Sequence, residues 1–320
     1  MILQLENVTK LYGGFKALDD LTVSIRPGAI GLLGPNGAGK STLIKALLGL
    51  VRLTHGQATV LGHDARTESR QIREIVGYMP EDDCTIPGMK GVEAVAYAGE
   101  LAGLPKQISL RRAHEILDFV SLYEERYREV QTYSTGMRQK VKLAQSLIHS
   151  PKLVFLDEPA NGLDPVGRER MLALIRTLYQ KKGISVIVST HILGDIEECC
   201  DAVLILGRGR LLVYDEIATL RQSTDPSYQV RFDGDAAAFR AGLESRGCQF
   251  EVIKDRHWRV SPGDAGQDVP RCILEAARDA RIALRSMDAS RNTLEEIFLQ
   301  AVQSTSRSAT PLETSFTGDR

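Results

Sequence analysis

Gly34-Pro35-Asn36-Gly37-Ala38-Gly39-Lys40-Ser41-Thr42 is the stretch on which the rest of the chain depends. It follows the apolar run Ala29-Ile30-Gly31-Leu32-Leu33 and precedes an amphipathic run from Ser41 to Leu50. The order strand, glycine loop, helix fits the phosphate-binding pattern G-x-x-x-x-G-K-[ST]. Glycine lets the backbone approach a phosphate closely, and successive N–H groups then form an anion nest. The positive end of the following helix adds to it. In such a loop Lys40 reaches the β and γ phosphates and the Ser41 hydroxyl ligates Mg²⁺. A plain glycine turn before a helix would need neither the lysine nor the serine in this register.

Working outward, 153–158 (LVFLDE) is an apolar strand ending in the acids Asp157 and Glu158. A continuous apolar strand belongs to a parallel sheet buried on both faces. Sites in such sheets lie at the carboxyl ends of the strands, which places Asp157 beside Ser41. There Asp157 is a candidate to hold Mg²⁺ through water, and Glu158 to act as general base on a water. A second buried strand, 185–190, runs into His191, a candidate to orient a γ-phosphate or the attacking water. Closer to the N-terminus, 2–8 and about 16–25 read as strands separated by Tyr12-Gly13-Gly14. Tyr12 is either a surface aromatic in a turn or a stacking platform for an adenine ring.

The remaining pieces complete an α/β pattern. Strands are expected at 56–62 and 75–79, and mostly helix from about 89 to 130. Ser134-Thr135-Gly136-Met137-Arg138-Gln139 then opens a helix, and another follows at about 166–181. Residues 202–206 and 211–214 form a hairpin across Gly207-Arg208-Gly209-Arg210, whose two arginines are weak grounds for a nucleic-acid contact. Composition shifts at 223–227, a linker-like cluster. Beyond it the order βαββαβα, with a last helix at 294–302, predicts a small α+β domain. Residues from about 303 are Ser/Thr-rich and expected to be disordered.

The net charge of −1 gives no sign of a polyanionic partner. No apolar run approaches the roughly 18 residues that span a bilayer. The N-terminus alternates like a strand and does not read as a signal peptide. Five cysteines, with no zinc-like C-x-x-C spacing, read as reduced thiols in the cytosol.

Taken together, these motifs resemble those of ATP-binding cassette (ABC) proteins. Tyr12 matches the A-loop, 34–42 the Walker A motif, Glu81 the Q-loop position, 153–158 the Walker B motif, 161–164 the D-loop and His191 the switch histidine. Ser134 and Gly136 match the signature motif, with Thr135 and Met137 where the family usually has glycine and glutamine. Glu81 stands where the family usually has glutamine. Both variants, and the ending TLEEIFL at 293–299, look like the exporter branch whose permeases are of the ABC-2 type.

The resemblance implies an ATPase core over 1–222, with a mostly parallel sheet, an antiparallel β subdomain and a helical subdomain. It also implies an accessory domain over 227–302 and a tail over 303–320. The nucleotide contacts would be Tyr12, Gly34, Pro35, Asn36, Gly37, Ala38, Gly39, Lys40, Ser41, Thr42 and, against the opposing subunit, Ser134, Gly136 and Asp164. Ser41, Glu81 and Asp157 would serve Mg²⁺; Glu158, His191 and Lys40 would serve hydrolysis. The implied partners are a second ATPase copy or a paralogue and a separate ABC-2-type permease docked at 82–130, with no nucleic acid. The implied place is the inner face of the cell membrane. A soluble ABC ATPase of ribosomes or DNA is the competing expectation, but the span from Glu81 to Ser134 leaves no room for the long coiled coil of the DNA-acting branch. A regulator without turnover is disfavoured by the retention of Lys40, Asp157, Glu158 and His191.

Overall fold

Alternating burial makes the N-terminal segment a hairpin: β1 (Leu3–Tyr12) pairs antiparallel with β2 (Phe15–Ile25). Strand β1 runs past the expected residue 8 to Tyr12. Register shifts around Val8 and Lys10, and Asn7 at φ 51°, break the alternation that marks a strand in the sequence. Next come β3 (Ala29–Leu33), α1 (Lys40–Leu47), β4 (His55–Val60), the two-residue β5 (His63–Asp64), α2 (Ser69–Ile75) and β6 (Val76–Met79). Helix α2 has no counterpart in the sequence pattern, because it buries only Ile72 and so carries no apolar stripe. The helical stretch holds α3 (Gly91–Leu101), α4 (Lys106–Phe119) and two short 3-10 turns. Then follow α5 (Thr135–Leu147), β7 (Leu153–Asp157), α6 (Pro165–Lys182), β8 (Ser185–Thr190), α7 (Leu193–Cys199), β9 (Ala202–Gly207), β10 (Arg210–Glu216) and α8 (Ile217–Arg221). Helix α6 starts where sequence signals place it, with Pro165 in its first turn and the Asp164 carboxylate capping Gly167 N–H.

This is a computed structural model, and it describes residues 1–221, 227–264, 266–290, 294–295 and 297–299. Two compact units divide it, one on Met1–Ile217 and one on Ala218–Ile297. The first holds an antiparallel sheet of order β2-β1-β4-β5 and a six-stranded sheet of order β10-β9-β3-β8-β7-β6. In the latter, β9 through β6 run parallel and β10 lies antiparallel at one edge. Every residue of β3, β7 and β8 is buried, as their continuous apolar sequences require. Ile30, Leu32, Phe155 and Ile187 pack with Leu43, Ile44 and Leu47 of α1 in one core cluster. Truncating a side chain such as Phe155 to alanine in this core would cost about 3–5 kcal/mol. The register sets the site: Leu33 lies beside Thr190 and Asp157 beside Ser189, so the loops leaving β3, β7 and β8 emerge together.

The second unit contains β11 (Ser227–Asp233), α9 (Ala236–Glu244), β12 (Gln249–Lys254), β13 (His257–Ser261), α10 (Val269–Asp279) and β14 (Ala283–Ser290). The antiparallel sheet order β12-β13-β11-β14 is that of a split βαβ, ferredoxin-like unit. Trp258 sits at its centre, with ring centroids 5.0 Å from Phe232, 5.0 Å from Phe250 and 5.6 Å from Phe239. Of the expected last helix, residues 294–295 and 297–299 are helical. The expected linker residues 223–226 and the tail 303–320 lie outside the described residues. All five cysteines are free thiols. Among the described residues no helix is long and apolar enough to cross a membrane.

Candidate active site

A cleft of about 520 Å³ opens where the loops after β3, β7 and β8 meet the β1–β2 hairpin. Its walls include Tyr12, Asn36, Gly37, Ala38, Gly39, Lys40, Ser41, Thr42, Glu81, Asp157, Glu158 and His191. Residues far apart in sequence are thus brought to one place.

The loop from 34 to 39 turns inward onto α1. Gly39 holds φ +102°, and a Cβ there would lie 2.4 Å from the Ala17 carbonyl oxygen, so this position requires glycine. Lys40, the first residue of α1, is buried, and its ammonium donates to the carbonyls of Gly34 (2.7 Å) and Pro35 (3.4 Å). Gly34 and Pro35 do not line the cleft; they hold the lysine from behind. Burial pushes the Lys40 pKa down, against the charges of Glu158, Asp157 and Glu81, which favour the cation.

Asp157 ends β7 and is only 3% exposed. Glu158 takes the left-handed conformation, φ 50°, which is uncommon for a residue with a Cβ. Three bonds fix it there. Its N–H donates to Ser189 O (2.8 Å), its carbonyl accepts from Asn161 N–H (3.1 Å), and its Oε1 lies 3.0 Å from His191 Nδ1. An imidazole N–H on Nδ1 therefore fixes one carboxylate oxygen and leaves the other free to face a water. Ser41, Asp157 and Glu81 offer oxygen donors alone, and no group of three or more His, Cys, Asp or Glu among the described residues is placed as a metal site. That donor set suits Mg²⁺, which is held by one or two carboxylates plus substrate phosphates.

Tyr12 and Phe15 face each other across the hairpin tip, both exposed, and the Lys10 ammonium is 4.7 Å from the Tyr12 ring centroid. Phe15 and Ala17 also line the cleft and carry no motif signal in the sequence, and Asn161, the first residue of the expected D-loop at 161–164, lines it as well. Phe15 was within reach, because a two-residue Gly-Gly turn makes residues 12 and 15 cross-strand neighbours.

Ser134, Gly136 and Asp164 do not reach this cleft. Ser134 caps α5, its hydroxyl accepting from Met137 N–H (3.3 Å). With Gly136 it lines a separate hollow of about 150 Å³ that also includes Lys140 and Arg170. Asp164 is committed to the α6 cap.

The ABC transporter family matches residues 18–161. The uncharacterized ABC transporter ATP-binding protein YhcH of Bacillus subtilis is 37% identical over 93% of this chain and 95% of its own length. The linearmycin resistance ATP-binding protein LnrL of the same organism is 30% identical over 96% of this chain and all of its own. The fold is shared with the dimeric, ADP- and phosphate-bound, post-hydrolysis form of the ATP-binding cassette MJ0796. That match has a TM-score of 0.62 at 23% identity, over 67% of this chain and 98% of the other. The chain belongs to the ABC transporter family, as an ATP-binding subunit with ATPase activity.

Proposed function

We propose that the chain holds ATP with Mg²⁺ in this cleft, dimerises around it, and powers a separate ABC-2-type permease that exports its cargo. One observation carries the catalytic part: the phosphate loop, Asp157, Glu158 and His191 converge on one cleft, with Glu158 fixed 3.0 Å from His191. The N–H groups of 37–42 and the Lys40 ammonium bind the β and γ phosphates, and Tyr12 stacks on adenine. Ser41, Asp157 and Glu81 hold Mg²⁺, which when bound offsets the charge that develops on the phosphates. Glu158 takes the proton of a water through the oxygen that His191 leaves free.

Dimerisation is supported by what the cleft leaves out. Ser134 and Gly136 sit at the N-terminus of α5 in a different hollow, available to a phosphate held by a second chain. ATP then acts between two chains, and loss of its γ-phosphate releases them.

Export is supported by the Y-S-T-G-M and G-Y-M-P-E variants and by the resistance role in the name of LnrL. A partner surface is supported by a groove of about 270 Å³ between the segment after β6 and α3, lined in part by Tyr78, Pro80, Ile86, Tyr97 and Leu101. We assign it to the permease, with the subunit held at the inner face of the cell membrane. The ATPase core occupies 1–222 and the accessory domain 227–302.

The test is Glu158→Gln in the full chain. The variant should bind ATP, lose turnover and accumulate as ATP-bound dimers. Captured with ATP from detergent-solubilised native membranes, it should bring down a polytopic membrane protein in stoichiometric amount. Turnover near wild type would remove Glu158 as the base. Ribosomal proteins or nucleic acid with no membrane partner would replace the exporter reading with that of a soluble ABC ATPase.

A further inference from the structure

Lys142 lies in the middle of α5 and is 2% exposed, an unusual place for a lysine in an amphipathic helix. A buried ammonium needs compensating partners. Its Nζ donates to the backbone carbonyl of Glu81 at 2.7 Å. Burial pushes its pKa down, while Asp83, Cys84, Asp82 and Glu81 favour the cation. One helical turn earlier, Arg138 Nε lies 3.7 Å from Asp83 Oδ2. Residues 138 and 142 share a helix face. That face therefore grips the segment 81–83 at two points.

The grip has a consequence for the cleft. Glu81 lines the cleft together with Asp157 and Glu158. Like charges there repel one another and the Lys40 ammonium faces all three, so the place of Glu81 depends on what holds its segment. The same helix is capped by Ser134, about 12 Å from Lys142 at 1.5 Å per residue. Lys142 also lines the groove that holds Tyr78, Pro80 and Ile86. One side chain thus touches the groove wall and the backbone of a cleft residue, and is rigidly joined to the Ser134 cap.

We infer that Lys142 is a positioning residue: through the Glu81 carbonyl it sets the Glu81 carboxylate in the cleft and ties that carboxylate to the position of α5. This rests on the reading of Glu81 as a residue that serves Mg²⁺. Its effect should therefore appear in how much Mg²⁺ strengthens ATP binding, and not in ATP binding itself.

The experiment uses the full chain carrying Glu158→Gln, so that turnover does not interfere. ATP affinity is measured by titration calorimetry in EDTA and in MgCl₂, and the ratio of the two is the readout. Lys142→Met should lower that ratio about 10-fold, the lower end of what loss of a residue supporting a metal ligand typically costs. The affinity in EDTA should stay within about twofold, and Lys142→Arg, which keeps a donor, should recover most of the ratio. Glu81→Ala should lose the same enhancement, and adding Lys142→Met to it should change little more, since both act through one carboxylate. A full ratio in folded Lys142→Met, alongside a reduced ratio in Glu81→Ala, overturns the inference. So does an equal loss of affinity in EDTA, which would make Lys142 merely structural. A full ratio in Glu81→Ala instead overturns the reading of Glu81 on which the inference rests. Should Lys142→Met fail to fold, Arg138→Gln loosens the second anchor and is read the same way, with a smaller loss expected.

Discussion

Gly209 offers the sharpest test of how the phosphate loop is held. The Gly-Arg-Gly-Arg turn reads in the sequence as a weak nucleic-acid contact, yet the structure turns its backbone inward. Gly209 N–H donates to the Ala38 carbonyl (3.1 Å), and its own carbonyl accepts from Asp19 N–H (2.8 Å). Arg210 then holds the Asp19 carboxylate through Nε at 2.8 Å and Nη2 at 2.7 Å. Gly209 is buried at φ +79°, and a Cβ there would sit 2.9 Å from Ala17 O. Gly209→Ala therefore places a side chain in the left-handed region, at about 1–2 kcal/mol. Relieving the contact with Ala17 moves the turn away from Ala38 and weakens a hydrogen bond worth about 1 kcal/mol. The sum, about 2–3 kcal/mol, should lower the melting temperature of this unit by roughly 4–12 °C for a unit of this size.

The same displacement frees the Ala38 carbonyl and loosens the N–H array to which the proposed function assigns the phosphates. If about half the loss falls on binding, ATP affinity drops about tenfold, or about 1.4 kcal/mol. Circular dichroism melts and titration calorimetry with ATP, on the full chain, measure both. Arg208→Gln is the control: Arg208 is exposed and should change neither quantity. A Gly209→Ala chain that melts and binds as wild type would refute the buttress. So would a loss of ATP affinity in Arg208→Gln of equal size.

Asp19 gives a dependence on pH. Hydrogen bonds from Lys16 first, and then Arg210, hold its carboxyl below the usual aspartate range. A lowered folded pKa means stability that is complete above the unfolded value, about 3.9, and lost as pH falls through the folded one. Asp19→Asn should thus unfold at lower urea than wild type at pH 7, with the gap closing below about pH 3.9. A gap that grows on acidification would contradict the assignment. A chain ending at residue 222 should keep ATP affinity within about twofold of the full chain, as independent units allow. Loss of binding would show that the C-terminal unit completes the nucleotide fold.

What could be read from the sequence and what could not divide along a physical line. The phosphate loop, the Asp157-Glu158 pair and His191 each follow an apolar strand, and strand ends in a parallel sheet meet by topology alone. Their assembly in one cleft needed only the strand order. Strand β1 was lost beyond Val8 because bulges cancel a period of two, and α2 because a helix with one buried residue has no stripe to detect. Gly209 and Lys142 left no local signal at all. A glycine between two arginines in a hairpin is ordinary turn chemistry, and a lysine on one helix face with Arg138 and Gln145 reads as part of a solvated face. Lys142 is held by the backbone of Glu81, and Gly209 by Ala38 and Asp19, all distant in sequence. The residues proposed to carry the chemistry announce themselves, since phosphate, metal and water admit few side chains. The residues that hold them in place are set by which backbone happens to approach, and that is a property of the tertiary fold.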